Sequence, residues 1–448
     1  PARSLWNQTR NSGCGMFLSM SIRGLYNRPY LIGRWRLSDV GNLMKRRVVV
    51  TGMGLVCPLG NTVDESFSNL INGVNGIDKI TLEEVEGWKV QIAGAVKNLN
   101  FEDYLDKKEI KRSDRVVNLA MVAMIEAVNQ SNLMDERINR KRLGLFIGSG
   151  IGGLKTIEEE VSTFAIRGQD RMSPFFIPNS IINLIGGKIG IKYQIYGPNL
   201  PQVTACSAAT NSIGEAFRYI RDGYLEMAVA GGSEAPINGI GVGGFASMRA
   251  LNTSNDINRA SIPFDQERSG FVIAEGAGIL VLEEYEHAKK RGVNILAEIV
   301  GYGTTSDDES ANGIRNCILE ALEDAKITKK DLGYINAHGT STQLNDKYET
   351  LGIKKALGED AYRINISSTK SMTGHALGAA GAIESIAVIE SLRKGIIPPT
   401  INHQVDDPDC DLNYTFNHAV KRDIEYGMNI NLGFGGQNAA LIFKKVKQ

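Results

Sequence analysis

The chain has 448 residues, 42% apolar and 22% charged, with 50 Lys+Arg balanced by 50 Asp+Glu, enough material for two or three ordinary domains or for one large α/β unit built from two halves. That balance excludes a disordered chain and any global attraction to nucleic acid, and no apolar run approaches the roughly 18–20 residues that span a bilayer. Five scattered cysteines (Cys14, Cys57, Cys206, Cys317 and Cys410) without CxxC spacing argue against a disulfide framework or zinc site and for a reducing compartment.

Residues 1–45 carry six arginines, and their first acid is Asp39. An arginine-rich, acid-poor start without an uninterrupted apolar stretch is expected of an organellar transit segment, plastid-type or mitochondrial. The alternative is a basic tail with no address, which would leave the protein in the cytoplasm. From Arg46 onward, short β-branched runs alternate with longer helical patterns, the signature of a buried α/β sheet. Strands are expected at "RRVVVTG", "RLGLFIG", "PQVTA", "EMAVAGG", "GILVLEE", "ILAEIVGYG", "GYINAHG", "RINISST" and "AALIFKK". Apolar residues at three- and four-residue spacing predict helices in "SIGEAFRYIRDG", "ANGIRNCILEALEDA" and "GAIESIAVIESLRKG".

The order of elements points to an internal duplication. "VVVTGMG" opens one half and "AEIVGYG" the other; "GFVIAEGAGILVLEE" and "NLGFGGQNAALIFKK" close them, each expected to form a hairpin. The halves are placed at 46–292 and 293–448, with a catalytic pocket expected in the cleft between them.

In "VTACSAAT" a β-like run ends where small residues begin a helix, placing Cys206 on a strand-to-helix turn. It reads as a packed small hydrophobe or as a nucleophile whose thiolate the helix N-terminus stabilises, with a lowered pKa. Of five histidines, His338 in "NAHGTST" and His375 in "STKSMTGHALGAAG" sit at glycine-flanked strand ends of the second half. Facing a cysteine of the first half, two neutral imidazoles could stabilise an oxyanion or enolate; each alone could equally be structural. "GFGGQN" lets backbone N–H groups approach a ligand, with Phe434 as a cover, or is a plain hairpin turn. "GSGIGG" matches a dinucleotide fingerprint, but no partner acid follows at the end of a next strand.

Together, "VVVTGMGLVCPLGN", "GSGIGG", "SPFFIPNSIIN", "TACSAAT", "AVAGGSEA", "PFDQERSGFV", "NAHGTST", "SSTKSMTGHALGAAGAIES" and "GFGGQN" resemble the elongating β-ketoacyl-[acyl-carrier-protein] synthases. The resemblance implies a thiolase-like fold, two similar halves in a layered α-β-α-β-α sandwich, and a homodimer. It implies that Cys206 takes an acyl chain from acyl carrier protein while His338 and His375 bind the malonyl thioester and assist decarboxylation. The backbone N–H groups of Cys206 and Phe434 would form the oxyanion hole, Lys370 would tune the site, and Glu384 would order the network behind it. Thr340 and Thr342 match positions holding the phosphopantetheine arm, which arrives on the carrier, so no resident cofactor and no catalytic metal are expected. Ile151, Phe176 and Phe245 match the acyl tunnel, and Lys107, Lys108, Lys111, Arg112 and Arg249 match the surface that docks the acidic carrier.

The chain departs from the resemblance in places. The loop after "GYGTTSDD" lacks the usual proline-containing insertion, Ala274 replaces glycine, Gln343 replaces proline, and "NINLGFGG" replaces the commoner glycine-rich segment. The last change touches a structural cation position that some members hold near Asn336, Glu384 and Asn429. Two further readings share parts of the pattern: a biosynthetic thiolase, which needs a second catalytic cysteine in Cys-x-Gly, and a non-catalytic carrier-binding partner of another synthase.

Overall fold

The computed structural model describes residues 45–446 except 82–84, 86 and 308–310; the proposed transit segment lies outside them. Nine strands make the main sheet. The first half contributes β1 (Val48–Val56), helix α1 (Arg115–Ser131), β2 (Leu143–Gly148), helix α2 (Ala208–Arg221), β3 (Met227–Glu234) and β4 (Gly276–Glu284). The second contributes β5 (Ala297–Ser306), helix α3 (Asn312–Ala325), β6 (Leu332–Asn336), helix α4 (Gln343–Leu357), β7 (Asn365–Ser367), helix α5 (Ala380–Lys394), β8 (Tyr426–Gly433) and β9 (Gln437–Lys444).

Their order across the sheet is β2-β3-β4-β1-β5-β9-β8-β6-β7. Each half repeats one topology outward from its opening strand: an antiparallel strand, a second antiparallel strand, then parallel neighbours. Even the short edge strand β7 has a counterpart, because Asn199 bridges Leu145 in parallel beside β2. The halves join where Val48–Val50 of β1 pair with Ala297–Ile299 of β5. Helix α5 packs on both β8 and β4. Those strands are four positions apart, about 19 Å at normal strand spacing, and a helix is only about 10–12 Å wide. The sheet must therefore fold over at the β1–β5 join, placing α2 and α5 in a central layer, with α1 covering the first half outside and α3 and α4 the second. This is the expected α-β-α-β-α sandwich.

The strands form because they are β-branched and buried on both faces: every residue of β1, β2 and β3 is buried. Two expectations need correction. "PQVTA" is not a strand; the extended pairing ends at Leu200, whose N–H donates to the Leu145 carbonyl at 2.9 Å, and Pro201 has no N–H to continue the ladder. Nor does the first half close in a hairpin, since residues 235–275 separate β3 from its antiparallel partner β4. Of the two closing elements, the second alone is a hairpin, β8 with β9, closed by the Gly433 to Gln437 pair.

The two central helices begin alike. Each is entered by a 3₁₀ turn, Ala205–Ser207 before α2 and Leu377–Ala379 before α5. The first residue of each turn is left-handed, Ala205 at φ 49° and Leu377 at φ 45°. A left-handed non-glycine residue costs about 1–3 kcal/mol, which the surrounding packing must offset. The helices then meet so closely that a Cβ on Gly381 would lie 2.0 Å from Thr210 Oγ1 and 2.8 Å from its backbone nitrogen. Gly381→Ala should accordingly destabilise the protein by at least about 2–3 kcal/mol, read as a fall in thermal midpoint. Gly243→Ala, in helix Gly239–Ser247 with nothing within 4 Å of the new Cβ, should instead add about 0.5–1 kcal/mol. Equal effects from the two substitutions would contradict the tight central packing.

Candidate active site

Cys206 lies in the 3₁₀ turn leading into α2, His338 follows β6, and His375 lies between β7 and α5. The topology thus brings a cysteine of one half to two histidines of the other. One ligand-type atom from each, the Cys206 Sγ and an imidazole nitrogen of either histidine, lie within 4.8 Å of one another. The imidazoles meet edge to face, 5.2 Å between centroids, and Phe271 braces His375 at 5.3 Å. All three are buried at the end of a cavity of about 680 Å³.

Burial dominates the electrostatics. Desolvation pushes the Cys206 thiol up to about 11, against the Phe434 backbone N–H and the Lys370 charge, which favour the thiolate. The expected lowering by the helix terminus is overruled, because the sulfur sits out of water in an apolar cluster with Leu251, Phe271, Ile273 and Leu377. His338 and His375 are held well below the ordinary imidazole value by desolvation first and by the Lys370 charge second, so both are neutral near pH 7. Neither Nδ1 has a hydrogen-bond partner. A neutral imidazole has one nitrogen that donates and one that accepts, so the pair can both take a proton and stabilise a developing anion.

Lys370, 1% exposed, pairs with Glu384 on α5, whose other oxygen accepts from Asn431 Nδ2 at 2.7 Å. Asn431 Oδ1 accepts from Thr210 Oγ1 at 2.5 Å and from Asn429 Nδ2 at 3.0 Å, tying the ion pair to both central helices. The buried Lys370 charge also opposes a cation among Cys206, His338 and His375, although their donor set would suit a soft metal. The structural cation position is different. Asn336 and Asn429 are register partners on β6 and β8, and the Oδ1 atom of each is buried without a partner. Those two oxygens are of the kind a hard cation takes, while both Glu384 oxygens are already held by Lys370 and Asn431.

Sequence reasoning missed two buried acids that position this machinery. Glu234, at the end of β3, accepts from Gly150 N (2.6 Å), Ile151 N (3.1 Å), Ser149 Oγ (2.8 Å) and Gly378 N (2.9 Å). It therefore clamps the "GSGIGG" loop to the segment after His375, and that loop serves as structure rather than as a phosphate cradle. Glu349 on α4 accepts from the backbone N–H groups of His338 (2.6 Å) and Gly339 (2.7 Å), and burial raises it to about 7. An acid on the apolar face of α4, beside Thr350 and Ile353, was its only signal.

Thr340 and Thr342 line the cavity with their hydroxyls 3.1 Å apart, and Arg249 and Phe434 stand there too. Ile151 and Phe245 pack against the cluster that contains Cys206, and Phe245 lies 6.3 Å from the Phe434 ring. Phe176, half-buried on the short helix Phe176–Ser180, is not among them. The basic set also divides. Lys108 and Arg112 border a separate groove with Lys188 and Lys192, Lys107 and Lys111 belong to the same short helix, and none of the four lines the Cys206 cavity. Ala274, in place of glycine, donates its N–H to the His375 carbonyl at 2.9 Å, and its methyl group faces Gly94 and Gly374, which carry no side chain.

Comparison with known proteins agrees with this geometry. Residues 45–288 match the beta-ketoacyl synthase N-terminal domain and 296–404 the C-terminal domain. The chain belongs to the β-ketoacyl synthase family. It is 47% identical to 3-oxoacyl-[acyl-carrier-protein] synthase 2 of Staphylococcus aureus (strain COL), over 89% of this chain and 98% of that one. The enzyme of the same name from a Synechocystis species is 43% identical over 91% and 100%. Among solved structures, a beta-ketoacyl synthase from Burkholderia phymatum matches with TM-score 0.83 and 33% identity over 90% and 100%. A ketosynthase solved in complex with its type II PKS acyl-carrier protein and bound to a hexaketide matches at TM-score 0.82 and 35% identity, with the same coverage. In a β-ketoacyl synthase site of this kind the other described cysteines, Cys57, Cys317 and Cys410, are buried away from the cavity, leaving no second cysteine beside Cys206.

Because the resting sulfur is a thiol, alkylation of Cys206 by iodoacetamide should rise about tenfold per pH unit between pH 8 and 10. Lys370→Met should slow it at fixed pH by removing charge that favours the thiolate. Mass spectrometry of the Cys206 peptide reads both effects, and a rate that plateaus below pH 8 would contradict the raised thiol.

Proposed function

We propose that this protein joins an acyl-[acyl carrier protein] to malonyl-[acyl carrier protein] by decarboxylative Claisen condensation, giving β-ketoacyl-[acyl carrier protein], the elongation step of type II fatty acid biosynthesis. The observation that carries this reading is the cluster of Cys206 with two neutral histidines at the end of one cavity. Cys206 Sγ attacks the acyl thioester while its proton passes to a neutral imidazole, and the carrier thiol leaves with a proton, so the acyl group is held on Cys206. Malonyl thioester then binds with its carbonyl oxygen toward the imidazole N–H groups of His338 and His375. Its C–CO₂ bond breaks, carbon dioxide leaves, and the electron pair forms an enolate that those donors stabilise. The enolate carbon attacks the acyl-cysteine carbonyl, the N–H groups of Cys206 and Phe434 receive the oxyanion, and the Cys206 sulfur leaves. No strong base is needed, which suits a site where burial, with the Lys370 charge behind it, keeps both imidazoles neutral.

Lys370 and Glu384 act through the histidines by setting that potential. Thr340 and Thr342 hold the phosphopantetheine arm, which the carrier supplies, so the enzyme needs no cofactor of its own. Ile151 and Phe245 bound the acyl chain beside Cys206. Phe176 joins them from a second copy of the chain, because the edge beyond β2 exposes Ile166, Phe175, Ile177, Ile191, Tyr196 and Val203, an apolar surface suited to a homodimer. Light scattering should give twice the chain mass. Residues 1–45 direct import into an organelle; fused to a reporter, they should give organellar rather than diffuse signal.

Incubation with acyl carrier protein bearing an acyl group should add that acyl mass to Cys206, and malonyl carrier should then release a β-ketoacyl product. A silent partner of another synthase would show neither. Malonyl decarboxylation should stay flat from pH 6 to 8, because both histidines hold their neutral form well below the usual imidazole range. An acid limb centred near 6.5 would mean that the imidazoles are not held neutral.

A further inference from the structure

Glu234 ends β3 opposite Gly276, the first residue of β4, just as Gly433 ends β8 opposite Gln437, the first residue of β9. The two positions are therefore equivalent in the duplicated fold. In the reactive half the chain turns after Gly433, and the Cys206 sulfur accepts from the Phe434 N–H and from its own. In the other half Gly378 stands in the entry turn, and its N–H donates to the Glu234 carboxylate at 2.9 Å. A side chain of the protein thus fills the counterpart of the oxyanion hole. Cβ atoms on Gly150 and Gly378 would lie 2.9 Å and 2.6 Å from Glu234 Oε2, so the carboxylate is tightly enclosed. Its other partners, the N–H groups of Gly150 and Ile151 and the Ser149 hydroxyl, are donors too, the set that an ionised carboxylate requires.

Ile151 packs against the apolar cluster that contains Cys206, so its place is part of the wall of the acyl site. We propose that Glu234 is a positioning residue that sets the longest acyl chain Cys206 accepts, by pinning the backbone of Ile151 to the core. The inference rests on the condensing function above. A tail that outgrows the space before Ile151 must displace that side chain, and the loop can follow only if the Gly150 and Ile151 N–H groups leave the carboxylate. Leaving a buried carboxylate and two buried N–H groups short of partners is costly. Short chains leave the loop undisturbed, so the resistance falls on long chains alone.

Glu234→Gln keeps the shape of the side chain but sets an amide N–H against N–H donors. It should raise the ratio of myristoyl to butyryl transfer onto Cys206 from the matching carrier thioesters about tenfold, read by mass spectrometry of the Cys206 peptide. The ratio is the readout because the Glu234 charge disfavours the Cys206 thiolate at every chain length. Ser149→Ala removes one donor to the carboxylate; it should raise the ratio about threefold and keeps the test open if the glutamine variant does not fold. In an Ile151→Ala background, either substitution should leave the ratio where Ile151→Ala alone sets it, since the latch acts through that side chain. An unchanged or lower ratio would overturn the proposal and leave Glu234 a structural acid, as would a rise that persists in the Ile151→Ala background. If the unaltered protein takes up no acyl group of any length, the condensing function itself fails, an outcome distinct from these.

Discussion

The site depends on two helices starting against one another in the middle of the molecule. Gly378 stands in the entry turn of α5 where Cys206 stands in that of α2, and a Cβ on Gly378 would lie 2.2 Å from the Gly150 nitrogen. Only bare backbone fits there. Because Gly378 and Gly381 allow that approach, His375 reaches the cysteine of the other half, and Glu234 can hold Gly150 and Gly378 with one carboxylate. A side chain at either glycine would push the halves apart before it touched any reacting group. The constraint therefore lies in the packing, and the chemistry follows from it.

Once the halves close, water is excluded and desolvation outweighs the smaller local fields. A helix terminus contributes at most about 1–2 kcal/mol to a thiolate, whereas burying a charge without full compensation costs several. Cys206 therefore rests protonated. The same exclusion keeps His338 and His375 neutral, by desolvation first and by the nearby Lys370 charge second. Buried carboxylates are used differently. Glu234 and Glu349 spend their oxygens on backbone N–H groups, fixing the loops that carry Ile151 and His338, and Glu384 neutralises Lys370.

Much of this was legible in the chain. The duplicated strand pattern gave the halves, and three short motifs gave Cys206, His338 and His375. What the chain does not display is any contact made across the fold. Pro201 ends an extended run that β-propensity alone carries through to Ala205, because the missing N–H matters only beside β2. The closing strands of both halves read alike, yet β3 and β4 pair around a 235–275 excursion that supplies Arg249, Ala250 and Phe271 to the cavity. Glu234 and Glu349 escaped notice because a buried acid and a solvated one look the same in sequence; only their backbone partners distinguish them. The basic run at residues 107–112 looked continuous with Arg249 in purpose, but the fold places them on separate surfaces.

Two of the departures from the family pattern, the shortened loop and Gln343, fall on the rim, and neighbouring backbone absorbs them. The shortened loop still pins the glycine turn that carries Phe434, because the Asp307 N–H donates to the Gly436 carbonyl at 2.7 Å and Asn438 Nδ2 donates to Asp307 Oδ1 at 2.8 Å. Gln343, in place of proline, donates its side-chain amide to the Arg268 carbonyl, while the Arg268 guanidinium donates to the carbonyls of Thr342 and Gln343 at 3.0 Å each. That reciprocal clasp holds the threonine segment as firmly as a fixed φ would, by enthalpy rather than by restricting the unfolded chain. Change is tolerated at the rim because each altered residue there is still bound to backbone that the core holds in place. The floor has less freedom where Gly378 meets Gly150, since a Cβ there would lie 2.2 Å from the Gly150 nitrogen.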